Sequence, residues 1–462
     1  MVTLRDKKRT RWAVLMIVSF TMMAAYFFYD AMAPLKGMLE RTQGWSSADY
    51  GTFTSAYSWF NVFLFMLFLG GILLDRKGIR FTGSLAASLM VIGALIKYAA
   101  LSGILPAEGE LFGLKAQVFY ASAGFAVYGV GSEVAGVVVS RTIIKWFKGY
   151  ELALAMGLQV AIARIGTGIA MLTANPLAEF FKGIPQLVLF GVLLLLIGLI
   201  AFLIYNIRFD KKLDEQIGME ELSSPEDKFR FADLVAVISN YGFWLIAILC
   251  VLFYSCVFPF LKFAPDLMTN KFGVAEEWAG AIVSLLPFGT ILLTPLFGNI
   301  YDKKGKGATI MIIGAVMLVV VHGLFAIPGI NNWIYAVILM IVLGIAFSLV
   351  PSAMWPSVQK IIPEKQLGTA FALIFWVQNI GLWGVPLLIG GVLDKCVTES
   401  VEKVADGTAI EVKLYDYTLP MLIFSASAVL SVFIAFLLKQ EDKKKAYGLE
   451  NPNIKQEKDE RI

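Results

Sequence analysis

Charged residues are scarce in this sequence, and their scarcity excludes most soluble proteins. Asp, Glu, Lys and Arg make up 16% of the 462 residues, whereas hydrophobic residues make up 58%; a soluble domain carries about 25% charged residues. The composition therefore predicts an integral membrane protein. The basic residues lie in short loops beside apolar stretches rather than on one soluble face, so we expect no nucleic-acid partner.

Residues typical of catalysis and metal binding are equally rare. One histidine, His322, and three cysteines, Cys250, Cys256 and Cys396, provide neither a catalytic triad nor the spacing of metal ligands. The Gly-x-x-x-x-Gly-Lys-Ser/Thr pattern of ATP-binding loops is also missing. We predict a protein that is not an enzyme and has no cofactor or metal, with the cysteines as small packing residues.

Twelve apolar segments are long enough to cross a bilayer, which predicts an all-α membrane protein with two six-helix bundles. A polar stretch at 208–233 separates the sixth segment from the seventh. We predict an N-terminal bundle at 1–207, a cytoplasmic linker at 208–237, a C-terminal bundle at 238–438 and a tail at 439–462. The segments run approximately at 12–35, 50–74, 81–104, 112–145, 150–175, 185–207, 238–265, 277–300, 308–328, 332–358, 366–393 and 416–438.

The distribution of Lys and Arg predicts the orientation of the chain. These residues concentrate in the two terminal segments, in the linker and in the loops on the same side, so both termini are expected in the cytoplasm. We expect no cleavable signal peptide, because the apolar stretch after Arg11 is too long and lacks a small-residue cleavage site. On the opposite side, Asp394 to Asp416 alternates around Asp406-Gly407 and predicts a small hairpin.

Glu133 and Arg164 are charges deep within apolar segments. They flank the tight turn Trp146-Phe147-Lys148-Gly149, and each lies roughly 20 Å from it at the helical rise, which puts both near the bilayer midplane. A charge there costs at least ~2.5 kcal/mol and is kept where it faces a bundle interior or a watery cavity. The two residues predict a site for a molecule with an amine and a carboxylate; a structural ion pair between two helices is the alternative.

A loop pattern, Gly-x-x-x-Asp-Arg-x-Gly-x-Arg, follows the second segment, and a related pattern follows the eighth. Glycines permit a tight turn and close helix approach, while the acidic residue can pair with basic residues or accept N–H bonds from a helix terminus. The pattern predicts a gate that locks the halves together in the outward-open state; a solvated loop that sets topology is the alternative. The first copy comprises Gly71, Asp75, Arg76, Gly78 and Arg80, and the second comprises Gly298, Asp302, Lys303 and Gly305.

This loop pattern resembles the signature of the major facilitator superfamily, and its repetition indicates two parallel halves. Further short matches in both halves resemble the lysosomal dipeptide transporter branch of that superfamily. They include Tyr29-Asp30, Tyr57-Ser58-Trp59 with Asn61, Trp146-Phe147-Lys148-Gly149, Ala163-Arg164-Ile165-Gly166, Val257-Phe258-Pro259-Phe260, Trp355-Pro356 and Gln378-Asn379.

The resemblance implies a uniporter of dipeptides in which Glu133 holds the peptide amino group and Arg164 its carboxylate. Neither terminus carries an acidic dileucine sorting signal, and Ser132 stands where the animal proteins tend to have glycine. We therefore expect a bacterial relative in the cytoplasmic membrane, acting as a monomer without an accessory subunit. Its partners would be the lipid bilayer and a small-molecule substrate.

Other residues of the apolar segments are candidates for secondary roles. Asp30 is either a second amine contact or proton carrier, or a solvated residue at a helix end. His322 is expected to be packed and hydrogen-bonded, with proton coupling as the alternative. Lys97 and Lys262 are expected to extend to the membrane surface. Candidate wall residues, each of which could instead be helix packing, are Tyr57, Trp59, Phe258, Trp355 and Gln378. Prolines predicted to kink the later helices are Pro259, Pro287, Pro351, Pro356 and Pro386.

The sequence thus predicts a transporter that works by alternating access around a midplane site. The proposed cargo is a dipeptide or a similar small zwitterion, moved by uniport. Two alternatives stay open. The first is a proton-coupled carrier of organic anions, with Arg164 binding the anion and Glu133 titrating. The second is a receptor that keeps the fold without turnover.

Overall fold

A computed structural model describes residues 3–217, 231–405 and 408–454 of the chain, and long helices dominate it. The segments are apolar on nearly all sides, as expected for helices surrounded by lipid and by one another. The N-terminal half contains α1 (Lys8–Asp30), α2 (Lys36–Gln43), α3 (Ser47–Ser55), α4 (Trp59–Phe63), α5 (Met66–Leu101), α6 (Ala116–Phe147), α7 (Leu152–Phe180), α8 (Ile184–Tyr205) and α9 (Lys211–Ile217).

The C-terminal half begins after residues 218–230, a part of the predicted linker at 208–237 that lies outside the described ranges. The half contains α10 (Phe231–Ile238), α11 (Tyr241–Ser255), α12 (Phe258–Phe272), α13 (Glu276–Lys304), α14 (Gly307–Ala326), α15 (Trp333–Ile361), α16 (Leu367–Leu393) and α17 (Thr418–Lys445). We call the side on which α1 begins and α17 ends the terminal side, and the opposite side the distal side.

Eleven helices in the described ranges are long and apolar enough to span a membrane. The predicted segment at 50–74 is not one continuous helix. It consists of α3, a 3₁₀ turn at Ala56–Ser58, the short α4 and the first part of α5. Helix α5 also contains most of the predicted segment at 81–104, because only one non-helical residue, Gly78 with φ 77°, separates the two parts. The all-α membrane fold is confirmed.

The break in the second segment occurs without proline. Phe65 has a left-handed backbone, with φ 52° and ψ 35°, a conformation that costs a non-glycine residue about 1 kcal/mol or more. Among the predicted kink sites, Pro259 lies at the start of α12 and separates it from α11. The other four, Pro287, Pro351, Pro356 and Pro386, lie inside helices that continue through them.

The two halves meet on the distal side. The Asp394 carboxylate at the end of α16 accepts hydrogen bonds from the backbone N–H groups of Ser47 (2.8 Å) and Ala48 (3.1 Å) at the start of α3. One half thus caps a helix N-terminus of the other, where a carboxylate is favoured by the helix dipole. Close backbone contact accompanies this cap, because a Cβ on Gly390 would lie 2.4 Å from the Ser47 carbonyl oxygen. Arg41 also pairs with Glu276 across the halves.

The predicted hairpin between α16 and α17 is confirmed. Strands β3 (Val397–Ala405) and β4 (Thr408–Tyr415) pair antiparallel, and β1 (Glu110–Leu111) and β2 (Leu114–Lys115) form a smaller pair between α5 and α6. The predicted turn residues Asp406 and Gly407 lie outside the described residues. Both pairs are on the distal side, because each connects helix ends located there.

On the terminal side, the segment after α17 folds back onto the C-terminal half. The Glu450 carboxylate accepts hydrogen bonds from the backbone N–H (2.9 Å) and hydroxyl (2.8 Å) of Thr309 at the start of α14. Lys360 of α15 donates to the carbonyl oxygens of Gly448 and Asn451, and Leu449 is fully buried. This segment therefore ties together the terminal-side ends of α14, α15 and α17.

Candidate functional site

A cavity of about 390 Å³ lies between the halves, within the size range of small-molecule sites. Its N-terminal wall includes Tyr26, Tyr29, Tyr57, Glu133 and Arg164, and its C-terminal wall includes Tyr254, Phe258, Trp355 and Gln378. Six of the eight predicted binding residues therefore line one space.

Glu133 is oriented by a hydrogen bond from the second segment. The Tyr57 hydroxyl donates to Glu133 Oε1 at 2.9 Å. Gly129, one turn before Glu133 on α6, makes this possible, because a Cβ there would lie 2.0 Å from the Tyr57 carbonyl oxygen. The missing side chain lets the 3₁₀ turn approach α6 closely. Glu133 consequently reaches the cavity with one oxygen partly satisfied and capacity for further donors.

Arg164 is surrounded by aromatic rings. Its guanidinium carbon lies 5.7 Å from the ring centre of Tyr26, 5.4 Å from that of Phe258 and 5.2 Å from that of Phe347. Cation–π contacts of this kind favour the charge without consuming the N–H donors. The guanidinium can therefore offer its planar fork of donors to a carboxylate.

Glu133 and Arg164 do not pair with each other. Within residues 3–217, 231–405 and 408–454, Arg164 has neither an ion-pair partner nor a protein hydrogen bond, while Glu133 has the bond from Tyr57. A structural ion pair between α6 and α7 is therefore not what this conformation contains. Two opposite charges face one cavity, and each is free to take a ligand group.

The other predicted wall residues divide into two groups. Tyr57, Phe258, Trp355 and Gln378 line the cavity, and the Trp355 indole N–H donates to the Tyr254 hydroxyl at 3.1 Å. Trp59 is not among the lining residues; its indole N–H donates to Ser55 Oγ at 3.2 Å.

Asp30 also lies away from the cavity lining. It is 4% exposed, so its interpretation as a solvated residue at a helix end is wrong. Its carboxylate pairs with Lys262 Nζ at 2.7 Å and accepts a hydrogen bond from the Thr167 hydroxyl at 2.7 Å. The partner Lys262 belongs to α12, so this ion pair joins the two halves.

The expectation that Lys97 and Lys262 extend to the membrane surface is wrong. Lys97 is 1% exposed, and its ammonium lies 4.2 Å from the ring centre of Phe28. Lys262 is 3% exposed and is held by Asp30. Aromatic rings and a carboxylate replace water around these two ammonium groups, which is why neither needs the surface.

His322 and the buried cysteines are packing residues, as expected. The His322 ring is fully buried, lies 3.0 Å through Nε2 from the Cys256 carbonyl oxygen and stacks on Phe424. It is not among the residues that line the cavity. Cys250 and Cys256 are buried as well.

In the first loop pattern, the charged residues contact their own half. Asp75 pairs with Arg141 of α6 at 3.2 Å. Arg80 pairs with Asp214 of α9 at 3.3 Å and with Asp210 at 3.7 Å. Arg76 is exposed. These contacts belong to a conformation in which the halves are joined on the distal side, not through this loop.

In the second copy of the loop pattern, Asp302 binds the segment of the chain that follows α17. The Asp302 carboxylate accepts from the Asn453 side-chain amide at 2.7 Å, and its carbonyl oxygen accepts from the backbone of Asn453 and Ile454. Lys303 is exposed.

The glycines of the two copies fulfil only one of the two expected roles. In both copies the later glycine makes the turn, with φ 77° at Gly78 and φ 69° at Gly305. A Cβ added to either of the earlier glycines, Gly71 and Gly298, would meet nothing within 4 Å. The expected close helix approach is therefore absent at these two positions.

Several cavity residues were missed by the sequence prediction. Tyr26 and Tyr29 lie one turn apart on α1, and Met22 continues the same face one turn earlier. That helical spacing could have identified them. Phe347 of α15 contacts Arg164 of α7 but has no such signal in the sequence, because this contact depends on how the two halves come together.

The cavity extends toward the terminal side. Its lining continues to Ser140 of α6 and Gln159 of α7, both on the terminal-side parts of their helices. On the distal side, the contacts of Asp394, Arg41 and Lys262 close the path between the halves.

Comparison with known proteins gives the family. A profile described as Major Facilitator Superfamily matches residues 11–384. The human lysosomal dipeptide transporter MFSD1 is 30% identical over 395 residues, covering 83% of this chain and 80% of the human protein. Solved structures share the fold: the nucleoside transporter NupG has a TM-score of 0.67 at 15% identity, covering 92% of this chain and 99% of that one. An inward-facing bacterial homologue of the human lysosomal transporter Spinster has a TM-score of 0.67 at 12% identity, covering 95% and 98%.

Proposed function

This chain belongs to the major facilitator superfamily of membrane transporters, and from that premise we propose that it carries dipeptides or similar small zwitterions by uniport. The observation that supports the proposal is the pair of opposite charges, Glu133 and Arg164, that face one cavity without pairing. Such a cavity suits a ligand that is neutral overall but charged at both ends.

In the proposed complex, the ligand amino group binds the Glu133 carboxylate and the ligand carboxylate binds the Arg164 guanidinium. Charge-assisted hydrogen bonds of this kind are about twice as strong as neutral ones. The separation of the two anchors selects ligand length, while the aromatic walls contributed by Tyr254, Phe258 and Trp355 accept varied side chains.

Transport would follow from motion of the two bundles, with boundaries at 1–207 and 238–438, around this site. Binding speeds exchange only if the ligand favours the occluded state over both open states, because a ligand shifts populations by differential affinity alone. If both termini lie in the cytoplasm, as we propose, the terminal side is the cytoplasmic side. The cavity extends toward that side, so the conformation described here is the inward-facing one.

We further propose that the protein works as a monomer in a bacterial cytoplasmic membrane, without an accessory subunit. Protease accessibility of tags at the two termini in intact spheroplasts tests the orientation. Protection of both tags is expected, and cleavage of either tag from outside would reverse the assignment of sides.

The site is tested by thermal stabilisation of the purified protein with dipeptides, free amino acids, tripeptides and dicarboxylates. We expect stabilisation by dipeptides alone, and its loss in Glu133→Gln and in Arg164→Ala. Exposed residues of the same types provide matched controls, Glu179→Gln and Arg9→Ala, which should respond like the wild type.

Other outcomes would change the function. Stabilisation by dicarboxylates that requires Arg164 but not Glu133 would favour the organic-anion carrier, with Glu133 as its proton site. Tight dipeptide binding without any counterflow in liposomes would favour the receptor.

A further inference from the structure

The ion pair between Asp30 and Lys262 is a deeply buried charged contact that joins the two halves. Its N···O distance is 2.7 Å, and the side chains are 6% and 4% exposed. The Lys262 ammonium also donates to the Tyr29 carbonyl oxygen at 3.0 Å and lies 3.2 Å from the centre of the Tyr29 ring. Asp30 receives a further hydrogen bond from Thr167. Each charge therefore has several partners while the halves are in contact.

The pair lies at the distal end of the cavity. Tyr29 lines the cavity, whereas the next residue, Asp30, does not. Farther toward the distal side lie a second buried pair between the halves, Lys36 with Asp266 at 3.0 Å, and the contacts between α3 and α16. Of the two buried pairs, Asp30 with Lys262 is the one next to the cavity, and separation of the halves on this side must break it.

A buried ion pair is suited to reversible closure. Its Coulomb attraction is largely offset by the desolvation of both charges, so the pair adds little net stability compared with apolar packing. When the halves separate, water enters the cleft and hydrates each charge, which compensates for the lost partner. Removing only one charge has a different result, because the remaining charge is left buried without compensation and favours the hydrated, open arrangement.

Two routes connect this pair to the substrate anchors. The Tyr29 ring lies 4.5 Å from the Tyr57 ring, edge to face, and the Tyr57 hydroxyl donates to Glu133. On the other side, Thr167 lies one turn from Arg164 on α7 and donates to Asp30. An amine bound at Glu133 shares the carboxylate with the Tyr57 hydroxyl, so the occupied site acts on the Tyr57 ring and, through it, on the Tyr29 ring that contacts the Lys262 ammonium.

We propose that Asp30 and Lys262 form the latch that holds the distal side of the cavity shut, and that Tyr29 and Thr167 make this latch respond to the occupied site. The closing role stands on the geometry alone. The response to ligand rests on the proposed function. In this account Asp30 and Lys262 are positioning residues and do not contact substrate.

The latch is tested by distance measurements between spin labels on the distal side, in lipid nanodiscs. Suitable sites are Ile104, 68% exposed between α5 and α6, and Glu277, exposed in the first turn of α13. The background carries Cys396→Ser, and the buried Cys250 and Cys256 stay unlabelled. The wild type should give one short distance. Asp30→Asn, which keeps the side-chain shape, should increase the population with a longer distance at least about tenfold.

Additional variants distinguish opening of the distal side alone from separation of the two halves on both sides. Lys262→Arg retains the charge and should keep the short distance, whereas Lys262→Met should behave like Asp30→Asn. Labels at Lys77 and Lys304, both exposed on the terminal side, should move closer together when the distal labels move apart. Short distal distances in both Asp30→Asn and Lys262→Met would overturn the latch, and so would longer distances on both sides at once.

The response to ligand is measured by adding a saturating dipeptide to the same labelled proteins. Because the ligand favours the occluded state, the wild type should keep the short distal distance while its terminal-side labels move closer together. Thr167→Val does not line the cavity, and it should instead shift toward the longer distal distance while dipeptides still stabilise it thermally. A short distal distance with bound dipeptide in both Thr167→Val and Tyr29→Leu would overturn the proposed routes. Absence of any thermal stabilisation by dipeptides in the wild type would instead overturn the proposed function and leave the first measurement of the latch intact.

Discussion

At the scale of single residues, Arg164 illustrates how a charge is kept inside a membrane protein without an ion-pair partner among the residues that the structure describes. Aromatic rings of Phe258 and Phe347 lie within 5.4 Å of its guanidinium carbon, and the cavity side is open. The rings lower the cost of the charge, which is at least ~2.5 kcal/mol at the centre of a bilayer. The rings leave the guanidinium N–H donors available, and a side chain that binds a carboxylate needs such donors.

The first prediction tests whether Arg164 acts through its positive charge alone or through two parallel hydrogen bonds. Arg164→Lys keeps the charge but cannot form two parallel hydrogen bonds with a carboxylate. We expect dipeptide affinity to fall about tenfold or more in thermal titrations, with membrane insertion and the melting temperature of the free protein preserved. Unchanged affinity would mean that the carboxylate does not bind Arg164 through both hydrogen bonds.

A second prediction concerns the Tyr57 hydroxyl. Tyr57→Phe removes the donor to Glu133 while keeping the ring contacts with Tyr29. Hydrogen bonds to a charged group contribute about 1.5–3 kcal/mol, so we expect a measurable change in dipeptide affinity. Its sign is informative: if the bond orients Glu133, affinity falls, and Tyr50→Phe, whose hydroxyl instead contacts backbone carbonyls, should leave affinity unaffected. Equal effects of the two variants would argue against an orienting role.

The candidate site could be predicted only in part from residue identity. Glu133 and Arg164 stand out because charges are rare in apolar segments, and both line the cavity. The partner of Asp30 could not be predicted in the same way, because Lys262 lies 232 residues later and their meeting depends on how the halves pack.

At the scale of elements, the terminal-side segment after α17 has a defined structural role. Glu450 satisfies the Thr309 N–H at the start of α14 and lies 3.9 Å from the Lys439 ammonium. The segment therefore adds polar contacts between α14 and α17, which begin and end on the terminal side. It also covers the second loop pattern, which explains why that copy contacts its own half.

A third prediction follows for this cap. Loss of an N-terminal helix cap costs about 0.5–2 kcal/mol. Because a long chain has a large unfolding entropy, Glu450→Ala should lower the melting temperature by about 1–2 °C at unchanged dipeptide affinity. The matched control is Glu364→Ala, at an exposed position. Equal melting temperatures for the two variants would show that the segment adds no stability.

Element boundaries were predictable where hydrophobicity sets them. The long apolar segments became helices, and the alternating stretch between α16 and α17 became a hairpin. The interruption at Phe65 was not predictable, because no proline or glycine immediately precedes it and the residues on both sides are apolar. The Phe65 ring stacks on Trp376 of the other half with 5.4 Å between the ring centres, a contact between residues that are far apart in the chain.

At the scale of the whole molecule, the two halves are joined on the distal side by polar contacts and small residues. The cavity lies between the halves and extends toward the terminal side. Contacts that use caps and ion pairs can exchange with water, so closure on this side can be reversed without unfolding either half. The arrangement of the halves was beyond prediction from sequence, since each joining contact connects residues that are far apart in the chain.

The central claim is that this transporter moves dipeptides by uniport through Glu133 and Arg164. The most direct test is counterflow: proteoliposomes loaded with an unlabelled dipeptide take up a labelled one, with equal pH on both sides. We predict rapid uptake by the wild type and by Arg9→Ala, and none by Arg164→Ala or Glu133→Gln. Uptake that persists in Arg164→Ala, or that requires a proton gradient in the wild type, would contradict the account.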